Sequence, residues 1–473
     1  MTKQSIYYLF YYLGWVLSFL LVLLFLLDYS FGQRMFLGVV ILLIGVFLGI
    51  RKPLLAFSLS FPVLMLGYSL PVSSNSSASL YIGDLYIFIL LSILLSRIFK
   101  NHKIITFGFK SKIYILFFLL SICWIFSLDF IASLVTMISF VQLFVVYLFT
   151  INYIKDKEEI IFFLKTWIFT VSLCSITVLI AYFMGKTLII GLTDDYQEYF
   201  KNSLESGISL VRPNFFVSGF IYAFAPVILL LFLFLLIKEN NYLNYFIYLI
   251  LFLINCLTLI ILNNKTVFFS LLLTFLITLF INIKSRKILK RTSFGILILT
   301  LLIYTIAFYI DNIIPIEQLY LMTERLSNNS TLDARIGVWK HIMGYVFSDI
   351  KTLTLGLGPD ISIRKLDLPI FNSIFINNEG NREQAADSGY IYILLNYGIF
   401  ILLLIVNAII SVCRINLVEI KKIGKSYQLI PLFLFLTFTL WAIMMFSQQP
   451  GISKSLIFPV QAYAFSFLLN NTN

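Results

Sequence analysis

The sequence predicts an all-α integral membrane protein, with about fourteen transmembrane helices and a large external loop between helices 11 and 12. Three observations carry the prediction. Of the 473 residues, 60% are hydrophobic and only 12% are charged, against a usual charged share of about 25%. Apolar runs of span length recur along the whole chain. The Lys and Arg clusters fall on alternate loops. Water-soluble globules need more charge than this, and disorder needs low hydrophobicity. Four cysteines are too few for a disulfide scaffold.

A spanning helix needs about 20 apolar residues. The candidate runs are 7–27, 35–50, 54–70, 85–99, 113–127, 131–153, 160–184, 214–237, 242–262, 266–283, 293–310, 390–412, 429–446 and 455–470. The first has no small-residue cleavage site after it and a second span follows at once. It reads as a retained helix rather than a signal peptide. The short runs at 35–50, 85–99 and 113–127 are open to tilted, broken or re-entrant paths.

Placing both termini in the cytoplasm puts Arg51-Lys52, Arg97 to Lys112, Lys155-Lys157, Lys284 to Arg291 and Arg414 to Lys425 on one side. That side then carries 21 basic and 5 acidic residues, and the other carries 13 basic and 17 acidic. The sums, 21 + 13 = 34 and 5 + 17 = 22, account for every charge in the chain. The basic excess therefore expresses topology and contact with anionic headgroups, and gives no reason to invoke nucleic acid. Cys123, Cys174, Cys256 and Cys413 sit in or at the ends of apolar runs and read as small buried hydrophobes. His102 and His341 are far apart, and no Cys/His spacing suggests a metal site.

The chain divides into membrane helices 1–11 (residues 1–310), an external loop (311–389) and membrane helices 12–14 (390–473). A second external segment, 185–213, is also too long to be a simple connector. The large loop holds a predicted helix: Ile336, Trp339, Ile342, Met343, Val346 and Phe347 recur at helical spacing. Ser330-x-x-Asp333 before it resembles a capping box. The helix is expected to end before the turn Leu355-Gly356-Leu357-Gly358-Pro359. It either lies in the membrane interface or packs on the membrane domain. The Gly-x-Gly lacks the strand–helix context of a nucleotide loop.

Four external charges stand out. Arg212 precedes Pro213-Asn214 at the start of a span. Lys265 lies in the short break Asn263-Asn264-Lys265-Thr266. Arg335 begins the loop helix. Asp387, in Asp387-Ser388-Gly389-Tyr390, lies where the loop returns to the membrane. Each alone reads first as an interfacial anchor; together on one face they become functional candidates. A lipid-linked sugar diphosphate offers phosphates at that depth. Arg grips phosphate oxygens bidentately and stays charged, and cations stabilise a diphosphate leaving group. A carboxylate can take the proton of an attacking hydroxyl.

At these residues the chain resembles the O-antigen ligase/Wzy-type polymerase superfamily, integral-membrane glycosyltransferases of the GT-C kind. The matching features, in order, are Arg212-Pro213-Asn214, Lys265-Thr266 in place of a Ser-Arg pair, Arg335 with Trp339 and then Gly356 and Gly358, and Asp387-Ser388 followed after nine residues by Gly398. The likeness covers most of the chain in topology and residues 212–398 in motifs. Asp387 stands where ligases have His, which favours the polymerase branch.

The resemblance implies a polymerase of undecaprenyl-diphosphate-linked repeat units for O-antigen, capsule or exopolysaccharide, in a bacterial cytoplasmic membrane with its site on the external face. Arg212, Lys265 and Arg335 would bind the diphosphate, and Asp387 would activate the acceptor hydroxyl. Trp339 and Tyr390 would stack on sugars or serve as core or interfacial aromatics, Ser388 would support the site, and His341 is the reserve base. No metal or cofactor is implied. Partners would be the lipid-linked oligosaccharide, membrane lipids, a chain-length regulator and a flippase, with no nucleic acid. The competing readings are a glycan ligase, a lipid-linked oligosaccharide flippase, which would call for pseudo-symmetric halves, and a structural membrane subunit.

Overall fold

The structure is a computed structural model. It describes residues 31–65, 69–71, 79–101, 110–127, 130–154, 156–183, 225–229, 242–261, 270–271, 273–274, 339–340, 342–358, 388–422, 429–445 and 457–471. Their architecture is helical. The elements are α1 (Phe31–Arg51), α2 (Pro53–Met65), β1 (Ser69–Pro71), β2 (Ser79–Tyr81), α3 (Ile82–Asn101), α4 (Lys110–Ile125), α5 (Phe130–Tyr153), α6 (Lys157–Phe183), α7 (Tyr242–Ile261), α8 (Ile350–Leu355), α9 (Gly389–Lys422), α10 (Leu429–Met444) and α11 (Ile457–Asn471). Residues 225–229, 270–271, 273–274, 339–340 and 342–348 are also helical. The expected spans 7–27 and 293–310 lie outside the described residues.

Local chemistry sets several boundaries. Pro53 lacks an N–H and cannot continue α1, but its fixed φ suits the first position of α2. Asp156 caps α6 by accepting the Glu159 N–H at 2.8 Å. Glu158 and Glu159 in the first turn suit the positive helix end. The 54–70 run is a correction to the sequence reading. Helix α2 ends at Met65, and β1 then pairs antiparallel with β2, Leu70 opposite Leu80. Among the described residues this short ribbon departs from an all-α fold. It carries Pro71 and sits among Ser and Asn residues that favour turns.

By length and composition, two helices among the described residues are apolar enough to cross a membrane: Lys157–Ile176 and Gly389–Ile420. Shorter apolar helices accompany them at Val39–Arg51, Leu85–Ser96, Phe140–Tyr153, Phe246–Leu259 and Ile430–Met444.

The larger of two cores joins α2, α5, α6 and α11. Phe57 stacks on Phe149 with centroids 4.8 Å apart, and Phe61 packs against Phe163 and Trp167. The Trp167 indole N–H donates to Gln461 Oε1 at 2.9 Å. A polar clamp joins α6 and α7: Ser175 Oγ donates to Asn255 Oδ1, and Asn255 Nδ2 donates to Ser172 Oγ, both at 2.8 Å. Asn416 Nδ2 reaches Ser466 Oγ at 3.0 Å between α9 and α11. Such inter-helix bonds contribute about 0.6–1.7 kcal/mol each in membrane helices. Cys123, Cys174 and Cys256 are buried free thiols, as expected, and Cys413 is half-buried.

Position in this packing decides the cost of truncation. Phe57→Ala should lower stability by about 3–5 kcal/mol, because the neighbouring rings cannot collapse into the cavity. Leu43→Ala, at a 63% exposed site, should stay within about 0.5 kcal/mol of the parent. Denaturant titration of the purified protein reads both.

Candidate functional site

The second core forms where the loop meets α9. It gathers Leu120 and Cys123 of α4, Ile342, Val346 and Leu357 of the loop, Tyr392 to Leu395, Tyr397 and Ile401 of α9, and Met445. Trp339, Met343, Tyr390 and Trp441 pack against it.

The start of α9 is tied to the end of α10. The Gly389 N–H donates to Met445 O at 2.8 Å, Ser388 Oγ to the same carbonyl at 3.4 Å, and the Tyr390 hydroxyl to Ala442 O at 2.9 Å. Ser388 is buried and Tyr390 half-buried. The residue before Ser388 is Asp387, the expected base.

Nine residues into α9 the helix breaks at Gly398, with φ 76° and ψ 178°. This backbone region is open essentially to Gly alone. Gly356, at the end of α8, adopts nearly the same conformation, φ 72° and ψ −170°. The break withdraws the usual i+4 donors from the preceding carbonyls, and the loop supplies others. Leu357 N–H donates to Leu395 O at 2.9 Å and Gly358 N–H to Asn396 O at 3.0 Å. The Cys123 thiol approaches Tyr397 O at 3.5 Å. Contact is close on both sides. A Cβ at Gly398 would collide with the Thr354 carbonyl, one at Gly356 with the Asn396 carbonyl, and one at Gly358 with Ser127.

The Gly-x-Gly amides are thus committed. Gly356 N–H donates to Thr352 O at 2.9 Å, and the next two to α9. All three donate within the protein.

The loop helix differs from expectation in two respects. Residues 342–348 are followed by a second short helix, α8, instead of running to the turn. Asp349 makes the junction by capping α8. Its carboxylate accepts from Thr352 Oγ1 at 2.7 Å, Thr352 N–H at 2.9 Å and Lys351 N–H at 3.3 Å. Phe347, expected on the apolar face, is 60% exposed, while Ile342 and Val346 are fully buried. The 3.6-residue period places Ile342 and Val346 beneath the helix and turns Phe347 outward.

Of the sequence-predicted site, Trp339, Ser388 and Tyr390 come together around one core, as do the motif glycines Gly356, Gly358 and Gly398. Arg212, Lys265, Arg335, His341 and Asp387 lie outside the described residues. Sequence reasoning missed Met445, Ser127, Cys123 and Asn396. The first three carry no motif signal. Asn396 had one, as an amide inside an apolar run; it is fully buried and its Nδ2 donates to Tyr392 O at 3.0 Å. Asn396 Oδ1 and the indole N–H groups of Trp339 and Trp441 are buried without a hydrogen-bond partner among the described residues.

No protein-family model matches the sequence, and no curated protein matches it.

Two predictions follow from this geometry. Gly398→Ala should cost at least about 1–3 kcal/mol from backbone strain alone and expose 350–358 to protease. Gly344→Ala, with open space around its Cβ, should gain about 0.5–1 kcal/mol in helix stability. The second concerns Asp349, whose pKa is lowered chiefly by the Thr352 hydroxyl and then by backbone amides. A lowered folded-state pKa stabilises above the unfolded value of about 3.9 and is lost as pH falls through the folded one. Hydrogen-exchange protection at Thr352 to Gly356 should therefore drop below about pH 3.9 in the parent. It should show no such step in Asp349→Asn.

Proposed function

We propose that this protein is a multi-pass membrane glycosyltransferase of the GT-C kind that polymerises lipid-linked oligosaccharide repeat units. In this reading about fourteen helices cross a bacterial cytoplasmic membrane, both termini are cytoplasmic, and the 311–389 loop is external. The observation that carries the proposal is the junction between loop and helix. Gly356, Gly358 and Gly398, matched to the superfamily from sequence order, mark two segments whose backbones meet: Gly356 lies against Asn396 and Tyr397, Gly398 against Thr354, and Gly358 N–H bonds Asn396 O. That contact holds the loop against α9, the helix that begins just after the buried Ser388. Exposed Leu43, Phe47, Phe118, Phe246, Leu403 and Ile410 support a lipid-facing exterior, since water would penalise so much apolar surface.

The chemistry is a displacement at the anomeric carbon of a glycan held on a polyprenyl diphosphate. The acceptor hydroxyl on the non-reducing end of a new repeat unit attacks that carbon. Its proton passes to the Asp387 carboxylate. The bond to the diphosphate oxygen breaks, and the electron pair leaves with the polyprenyl diphosphate. Arg212, Lys265 and Arg335 stabilise the developing charge, with Lys265 acting as a point charge where Arg would fork. Trp339 and Tyr390 face the sugars or support the wall. A chain-length regulator and a flippase are the partners such a polymerase calls for.

The test uses purified protein in detergent with a synthetic lipid-diphosphate repeat unit and neither nucleotide sugar nor metal. A ladder of longer glycans is expected on a gel, lost in Arg212→Ala and reduced about 10²–10⁴-fold in Asp387→Asn, with both variants folded. A ladder unaffected by Asp387→Asn would sink the proposed base and move the role to His341. Persistent absence of a ladder across several repeat units would overturn the polymerase reading.

A further inference from the structure

The loop segment 342–355 has two faces. Ile342, Val346 and Thr352 are buried against α4 and α9. On either side of the Asp349 junction, Phe347 is 60% and Ile350 80% exposed. Lys340 and Lys351 flank them, both exposed. The only acid of this stretch, Asp349, is spent on capping α8. Two large apolar side chains between two lysines would be a poor surface for open water.

The helices that hold the loop also expose apolar residues close to the contact points. Thr354 of α8 abuts Gly398, and Phe400 and Leu403 on the next turn of α9 are 49% and 56% exposed. Gly358 abuts Ser127, and Ile125 and Phe126 just before it are 63% and 52% exposed. Exposed apolar residues of α4 and α9 thus lie within a few positions of the contacts that hold the loop.

We propose that this face is a membrane-interface anchor. Phe347 and Ile350 enter the headgroup/acyl boundary of the bilayer, about 5–10 Å deep, and Lys340 and Lys351 reach lipid phosphates. The occupant is phospholipid. The anchor fixes the depth of the loop, and hence of the Gly356–Gly358 turn on α9. The proposal rests on the chain spanning a bilayer and is independent of the polymerase chemistry.

The test places single cysteines at Ile350, Ser348 and Leu403 of the full-length protein, labels them with an environment-sensitive fluorophore, and reconstitutes each into phosphatidylethanolamine/phosphatidylglycerol vesicles. The unsubstituted protein, with its native thiols, serves as the labelling blank. The label at 350 should be blue-shifted and its emission roughly halved by lipid brominated near the headgroup end of the acyl chain, the depth expected of an interfacial face. The label at 403 should respond more to bromine deeper in the chain, and the label at 348 less than either. Quenching at 403 with water-like emission at 350 would overturn the anchor and leave the span intact. A blue shift at 350 that ignores brominated lipid and grows with the protein-to-lipid ratio would assign the face to a second copy of the chain. Lack of lipid quenching at 403 would remove the bilayer itself, and the proposal with it.

Discussion

The break of α9 at Gly398 is the constraint on which the packing of the 342–358 loop segment depends. Interrupting a helix frees carbonyls that must find donors when buried, and each one left unpaired costs about 1–3 kcal/mol. Leu395 and Asn396 receive theirs from Leu357 and Gly358 of a loop remote in sequence. The exchange is mutual, since the loop amides would otherwise be stranded too. A backbone-to-backbone bond of this kind needs close approach. That is why three residues at the junction are glycines, each blocked by a neighbour where a Cβ would stand.

The two cores play different parts around this junction. The larger is built of ring-on-ring contacts among α2, α5 and α6, closed by the Trp167–Gln461 bond to α11. Its role is to hold helices at fixed angles and depths. The smaller core mixes loop, α4 and α9 residues and contains buried polar atoms of Trp339, Asn396 and Trp441 without partners among the described residues. Phe140, Ile405 and Trp441 pack against both cores.

Much of the helical layout is legible in the chain. Runs at 131–153, 160–184, 242–262 and 429–446 match α5, α6, α7 and α10 to within a few residues, because an apolar stretch of span length has few other ways to satisfy its backbone. Helix ends were less legible. The 54–70 run gave way to a strand at Ser69, and the 390–412 run proved to be a broken helix reaching Lys422. Composition reports that residues are apolar, but where a helix stops depends on caps and on what its last carbonyls meet. The loop period placed Ile342 and Val346 on the inner face with Trp339 and Met343 beside them, and erred at Phe347. Adjacent positions in a helix point about 100° apart, so one of two neighbouring apolar residues must often face outward.

The sequence by itself determined that the described residues are overwhelmingly helical, since hydrophobic content and run lengths are sums over local residues. It also named Trp339, Gly356, Gly358, Ser388 and Gly398 as motif positions by their order, with Tyr390 as a separate aromatic candidate. Only the tertiary structure decided how they meet: an α9 carbonyl pair receiving loop amides, Ser388 and Tyr390 bonded to the end of α10, and Ser127 closing on Gly358. These contacts join backbone atoms of segments far apart in the chain. Backbone atoms are the same at every residue, so the sequence carries no letter that names the partner.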